Sequence, residues 1–385
     1  MLTVLIFIII LGLLVFVHEL GHFLIARQNG VAAEEFGFGF PPRILGLYRN
    51  HEGHWKFIFG SRNIKTKNTI YSVNWIPLGG FVKIMGEDGE QKDNPASFAA
   101  RSPWTRIRIL AAGVAMNFLL AALLFSLGFY IGVPQAAEEV KNANVAQEKI
   151  QIVEVGENTP AEAMGIRLGD VILGARDENN LVAFSSVEDV QNYIDGHKGQ
   201  SIILEISRGK NILDLGGTPR QDAPSGEGPL GIALTKIVIA KYSWYEALWL
   251  GARYTWELTL TFVSILGLFL WKLVAGKPQG LDVSGPVGIA VLTGQVAELG
   301  FSYLLRFAAL LSVNLAIINI LPIPALDGGR ILFVLIEKLK GSPIKRETEL
   351  RVHNIGFALL ISLMILVTVR DFMKFDIIEK VKHLF

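Results

Sequence analysis

The chain has 385 residues with 36 basic and 35 acidic side chains, so its net charge of +1 offers no electrostatic footprint for a nucleic-acid partner. Hydrophobic residues make up 51% and the mean hydropathy is +0.42, more than a soluble domain of this size needs. Cysteine is absent, which excludes disulfides, a thiol nucleophile and thiolate metal ligands, and leaves His and carboxylate for any metal site.

From Leu2 to Val17 only Thr3 and Gly12 interrupt an aliphatic and aromatic run, and His18-Glu19-Leu20-Gly21-His22 follows within the same apolar stretch. An ionised side chain at the centre of hydrocarbon costs roughly 2.5–3.5 kcal/mol or more, so Glu19 needs a compensating role at that address. On a helix, positions i and i+4 share a face. His18 and His22 can then point at one metal ion while Glu19 lies beside its open position. With seven His in the chain, a chance match to this pattern is expected on the order of 0.01 times per chain. A structural pair of core histidines would account for the imidazoles but not for the carboxylate. No charged leader or small-residue cleavage site flanks the run, so it is expected to stay as an anchor.

Four segments approach the ~20 apolar residues of a spanning helix: about 2–24, 109–133, 307–326 and 355–369. A fifth stretch, Leu258 to Trp271, ends after about 14 residues at Lys272, a length that suits an interfacial or re-entrant helix. Basic residues from Arg27 to Arg101, Lys65 and Lys67 among them, place the first loop in the cytoplasm by the positive-inside rule. Those from Arg330 to Arg351 do the same for the last loop, while the acidic 134–245 segment faces outward. Arg370, Lys374, Lys380 and Lys382 dissent mildly.

Within 55–85, the stretches Trp55–Phe59, Thr69–Val73 and Phe81–Ile84 read as short strands around the turn Pro77-Leu78-Gly79-Gly80. Such a sheet either holds an extended substrate by edge pairing or is a plain membrane-surface hairpin. Further on, Ile150–Val155 and Ser201–Ser207 read as strands and Val187–Ile194 as a helix. The 137–240 region resembles a PDZ domain at Pro160-Ala161, Gly165, Gly169-Asp170 and Ser207-Arg208-Gly209. Gly228-Pro229-Leu230-Gly231-Ile232 resembles the loop and strand that capture a peptide C-terminus, in the last position, as in circularly permuted bacterial forms. Leu230, Gly231 and Ile232 are the candidate groove residues; a β-rich spacer with no ligand is the alternative.

A catalytic zinc usually takes three protein ligands. The third candidate lies in Asn319-Ile320-Leu321-Pro322-Ile323-Pro324-Ala325-Leu326-Asp327-Gly328-Gly329. Its prolines break the helix, and irregular backbone at membrane depth is tolerated only where protein or a watery cavity satisfies it. Asp327 is then either a ligand or a solvated cap at the bilayer surface. Four spans bring Asp327 to the cytoplasmic side with His18 and His22. A fifth would leave it some 30 Å away, beyond the reach of metal–ligand bonds near 2 Å.

The order of these motifs, together with Ser284-Gly285-Pro286-Val287-Gly288-Ile289, resembles the site-2 proteases of the bacterial regulator-of-sigma-E protease type over nearly the whole chain. The resemblance implies an intramembrane zinc metalloprotease of the bacterial inner membrane. In it His18, His22 and Asp327 bind Zn²⁺, Glu19 is catalytic, and Asn319 with Gly79, Gly80 and Phe81 holds the substrate. The implied partners are membrane lipid and single-pass membrane proteins, such as a pre-trimmed anti-sigma factor or a remnant signal peptide. The implied fold is a polytopic α-helical membrane protein of four transmembrane helices, with a membrane-associated β region and an inserted extracytoplasmic PDZ-like α+β domain. Its parts are 1–133, 137–240, 241–300 with interfacial helices, and 301–385. One PDZ-like region stands where the best-known enterobacterial relatives carry two. A membrane metal transporter and a non-catalytic PDZ scaffold with structural zinc are the competing readings. The transporter would need ligands on several helices, and beyond Asp327 the later spans offer little more than Arg306, Asn314 and Asn319. His51 and His54 lie in a basic polar loop and read as surface residues.

Overall fold

The computed structural model describes residues 2–374 apart from 63, 65, 67, 138–139, 141–143, 178–179, 210, 225 and 277–283. Lys65, Lys67, Lys380 and Lys382 of the charge argument therefore lie outside the described residues. The chain runs α1 (Leu2–Gln28), β1 (Ala33–Arg49), β2 (Trp55–Phe59), β3 (Ile70–Ile84) and α2 (Pro103–Ile131). There follow β4 (Val133–Ala136), β5 (Asn144–Val155), α3 (Pro160–Ala163), β6 (Val171–Asp177), β7 (Asn180–Ala183), α4 (Val187–Gly196), β8 (Ile202–Arg208), β9 (Asn211–Gly217) and β10 (Ile232–Lys241). The helices α5 (Trp244–Val274), α6 (Pro286–Leu299), α7 (Phe301–Ile320), α8 (Asp327–Lys340) and α9 (Arg346–Lys374) complete it.

Five of the described helices, α1, α2, α5, α7 and α9, are long and apolar enough to cross a membrane, which makes this a multi-pass membrane protein. The sequence expectation was four. The difference is α5, a continuous helix of 31 residues where only the 14 or so from Leu258 to Trp271 read as apolar. Glu246, Arg253 and Glu257 interrupt the apolar run without ending the helix, because charged residues at helical spacing are good helix formers.

Contacts divide the chain into two compact units, one of Met1–Phe125, Gly251–Gly294 and Phe307–Phe385, the other of Ser126–Leu250 and Gln295–Arg306. In the first unit β2, β1 and β3 form a sheet in that order. The long strand β1 was not expected, since Pro41, Pro42 and three glycines argue against a strand. The prolines fall where the β1–β3 register slips, between Phe40 and Arg43, which spares the ladder hydrogen bonds. Glu35–Phe38 face Ile70–Val73 on one side and Lys83–Gly80 on the other. The two expected strands are thus one curled β3, and the Pro77–Gly80 turn is a bend inside it. Trp55, Phe57, Phe59, Trp75, Phe38 and Phe40 are exposed on this sheet, a large apolar surface of the kind that marks contact with lipid or protein. Phe23, Ala33 and Phe36 are buried together, with Phe16 and Leu20 packed against them, and this cluster fixes the sheet to α1.

The second unit carries the sheet β4-β10-β5-β6-β8-β9, with β7 on β6. A capping box between Ser186 and Asp189 starts α4. Asp170, wholly buried, receives both Nε and Nη2 of Arg208 at 2.8 Å, so two of the motifs read from the sequence are one ion pair. Ile152, Val190, Leu204 and Ile206 are fully enclosed in the core. Leu204→Ala is expected to cost this unit about 2–5 kcal/mol. Thermal unfolding of the full chain in detergent checks this, and an unshifted transition would remove Leu204 from the core.

Candidate metal centre

The site begins where α1 meets α2. A Cβ on Gly21 would lie 2.4 Å from the carbonyl oxygen of Ala112, so only glycine lets the two backbones come this close. That contact lays the His18/His22 face of α1 against the middle of α2. His18 and His22 are both 6% exposed. The Nδ1 of His22 lies 2.8 Å from the carbonyl oxygen of Ile109; a carbonyl only accepts, so Nδ1 carries the hydrogen and Nε2 keeps its lone pair. The two Nε2 atoms are 3.1 Å apart.

Asp327 arrives from the far end of the chain. Pro322 and Pro324 deny the backbone two donors, α7 stops at Ile320, and α8 starts at Asp327 itself. The intervening loop is braced by α9: Ala325 N donates to His353 Nδ1 at 2.8 Å, and Gly356 packs on Pro324. Ala325 takes φ of 77°, a left-handed conformation that side-chain-bearing residues adopt only under such constraint. Arg330, one turn into α8, pairs with Glu87 of the loop after β3.

Asp327 Oδ2 lies 2.9 Å from His18 Nε2 and 3.4 Å from His22 Nε2. It is buried and receives no hydrogen bond. Three ligands at zinc bond lengths of 2.0–2.2 Å and tetrahedral angles stand about 3.3–3.6 Å apart, close to the spacings found. A Cβ on Gly113 would lie 2.4 Å from His22 Nε2 and 2.7 Å from His18 Nε2, so the bare glycine leaves space directly beside both ring nitrogens. Two imidazoles, one orphaned carboxylate oxygen and that space fit a zinc ion, whose ligands in a cysteine-free chain must be of these types.

Glu19 is half-buried on the same turn of α1. A Cβ on Gly80 would lie 3.1 Å from Glu19 Cβ and 2.7 Å from Phe16 Cα, so the backbone of β3 runs directly beside the carboxylate-bearing residue. Gly79 likewise presses on Val15, and Phe81 continues the strand, paired with Gly37. Since β3 ends its sheet, its outer edge is open among the described strands. Asn319 occupies the last turn of α7, just before the break.

In the second unit Leu230 is 1% exposed, packs into the core and also lines a cavity between α4 and β10. Gly231 N donates to Gly228 O, and Ile232 opens β10. That cavity, of about 180 Å³, is also lined by Gln191, Ile194, Pro229 and Ile232 among others.

Asn117, Gly113 and His353 were not singled out from the sequence. Asn117 carried a legible signal, a polar amide deep in an apolar run, which demands a partner. Gly113 and His353 carried none, because their significance is a contact made by distant helices.

An apolar helical bundle holding a buried His-His-carboxylate cluster next to a free carboxylate is the frame of a membrane metallopeptidase. The sequence profile of peptidase family M50 matches residues 6–61 and 59–363, and the chain belongs to that family. It is 34% identical over 372 residues to a Clostridium acetobutylicum protein assigned to the zinc metalloproteases, covering 96% of this chain and 97% of the other. It is 31% identical to zinc metalloprotease RasP of Geobacillus kaustophilus, covering 96% and 97% of the two chains. It is 29% identical to the regulator of sigma-W protease RasP of Bacillus subtilis, covering 96% and 98%.

Proposed function

We propose that the chain is a zinc metalloprotease that hydrolyses peptide bonds of single-pass membrane proteins within the bilayer. The observation that carries this reading is depth. His18 touches Asn117, which is equally far from both ends of α2, Pro103 and Ile131. At 1.5 Å per residue that is about 21 Å from either helix end, well inside a hydrocarbon core of about 30 Å. His18, His22 and Asp327 hold the zinc. When bound, the ion supplies Lewis-acid polarisation of a peptide carbonyl and lowers the pKa of water. Glu19 takes a proton from the attacking water and passes it to the departing amine.

A transmembrane helix hides its amides, so the substrate must be unwound before it can be cut. The open edge of β3 beside Glu19 supplies a place for it to lie extended, at Gly79, Gly80 and Phe81, and Asn319 is the side chain assigned to hold it. The second unit, read as PDZ-like, meets the substrate outside the membrane. One relative is named a regulator of sigma-W protease, and a role in sigma-factor control is consistent with a pre-trimmed anti-sigma factor as substrate; a remnant signal peptide is the other candidate.

Asp327 can meet His18 and His22 only if the chain between α2 and α7 returns to the side it left. We therefore read α5 as lying at the membrane interface. Trp244, Tyr245, Trp249, Trp256 and Trp271 are exposed along it, and Arg253 pairs with Glu257 on its surface, features of interfacial helices. The cysteine-free chain permits a direct test with single cysteines and an impermeant thiol reagent. Position 276, just past the end of α5, should label from the same side as position 222, and position 351 from the other; labelling of 276 with 351 would make α5 a span.

The activity is tested by reconstituting the chain with a single-pass substrate. Cleavage should stop with a zinc chelator and return with added zinc, and His22→Ala should lose both zinc and cleavage. Cleavage surviving in metal-stripped His22→Ala protein would refute the reading, and zinc flux into vesicles without cleavage would favour a transporter.

A further inference from the structure

Asn117 is wholly buried at the midpoint of α2, with one amide atom 3.2 Å from His18 Nδ1. Its backbone is fixed from α7, where Ser312 Oγ donates to the Asn117 carbonyl at 2.8 Å. The amide atom beside His18 is the nitrogen Nδ2, and the amide oxygen Oδ1 has no hydrogen-bond partner. Nothing in the ligand set requires an asparagine here. Packing alone would favour an apolar residue, since a buried amide without its bonds is costly.

The neighbouring histidine shows what α2 does for a ring. Ile109 O fixes His22 with its hydrogen on Nδ1 and its lone pair on Nε2, facing Asp327 Oδ2. His18 needs the same tautomer to ligate through Nε2, which lies 3.1 Å from His22 Nε2 and 2.9 Å from Asp327 Oδ2. The O and N of an amide occupy interchangeable positions. With NH₂ toward the ring, His18 Nδ1 must accept, and Nε2 carries the hydrogen that blocks ligation. With the carbonyl oxygen toward the ring, Nδ1–H donates to it and Nε2 is bare.

We propose that Asn117 is a positioning residue for the metal: its side-chain carbonyl accepts from His18 Nδ1 and holds that ring in the ligating tautomer. Both imidazoles are then set from one helix, His22 by a main-chain carbonyl and His18 by a side-chain one. This rests on the reading of His18, His22 and Asp327 as the zinc ligands.

The test measures zinc affinity of the metal-stripped full-length chain by competition with a chromophoric chelator, with the visible spectrum of bound Co²⁺ as a second readout. Loss of such an outer partner typically weakens metal binding 10–100-fold. Asn117→Leu and the smaller Asn117→Ala should both show a loss of that size and an altered Co²⁺ spectrum. Asn117→Asp can only accept, and should restore affinity to wild type or better. Wild-type affinity in Asn117→Ala overturns the proposal, as does an Asp variant as weak as the Ala one, which would make the asparagine a donor. Parallel measurements on His22→Ala and Asp327→Ala separate the two readings. If either keeps wild-type affinity, the ligand set itself falls. If both lose zinc while Asn117→Ala does not, only the role of Asn117 falls.

Discussion

Glu19→Gln is expected to leave zinc bound at one ion per chain while lowering the rate of peptide cleavage by about 10²–10⁴-fold, the usual contribution of a positioned general base. Glutamine keeps the length and polarity of the side chain but cannot take a proton. Glu19 is on the same helical turn as the two histidines yet is not part of the His18–His22–Asp327 cluster, so its loss leaves that cluster intact. What it borders is β3, at Gly80, where an extended substrate would lie. The variant therefore separates chemistry from metal binding. Zinc content by a chromophoric chelator and cleavage of a reconstituted single-pass substrate give the two readouts. Undiminished cleavage would remove Glu19 from the mechanism. Loss of zinc together with activity would make it a ligand, and the cluster would have to be redrawn.

How far the sequence revealed this site depends on how far apart its parts lie. The His18/His22 pair was legible because its two members are one helical turn apart, and spacing alone fixes their common face. Asp327 was legible for a different reason: prolines and glycines crowded at the end of an apolar run are costly unless the broken backbone has a use. The structure places its carboxylate within 2.9 Å of His18. By contrast β1 was hidden, because Pro41, Pro42 and its glycines argue locally against a strand, and only the curled partner β3 accommodates them. The length of α5 was hidden because hydropathy measures lipid solubility, whereas helix formation continues through Arg253 and Glu257, which pair with each other. Gly113 and His353 were hidden because each matters only through a residue far off in the chain, the histidines in one case and Ala325 in the other.

Gly113→Ala should weaken zinc binding strongly and also destabilise the zinc-free fold. The added methyl would lie 2.4 Å and 2.7 Å from the Nε2 atoms of His22 and His18, well inside van der Waals contact. Neither side can yield cheaply. His22 is tied to Ile109 O on the same helix, and α1 and α2 already touch backbone to backbone at Gly21 and Ala112. The methyl therefore takes the space in front of the ring nitrogens, and a loss of at least about 100-fold in zinc affinity is expected, or about 2.8 kcal/mol at 1.4 kcal/mol per tenfold. Helix propensity acts the other way: glycine in a helix interior is about 0.5–1 kcal/mol less favourable than alanine. The steric conflict, typically about 1–3 kcal/mol for an overpacked site, outweighs that gain, so thermal unfolding of the metal-free chain should move to a lower temperature. Gly267→Ala on α5 is the control, since a Cβ there meets nothing within 4 Å and the same propensity gain comes with no steric conflict. If both alanine variants bind zinc as the parent does, the ion sits away from α2, and the histidines must turn elsewhere to hold it.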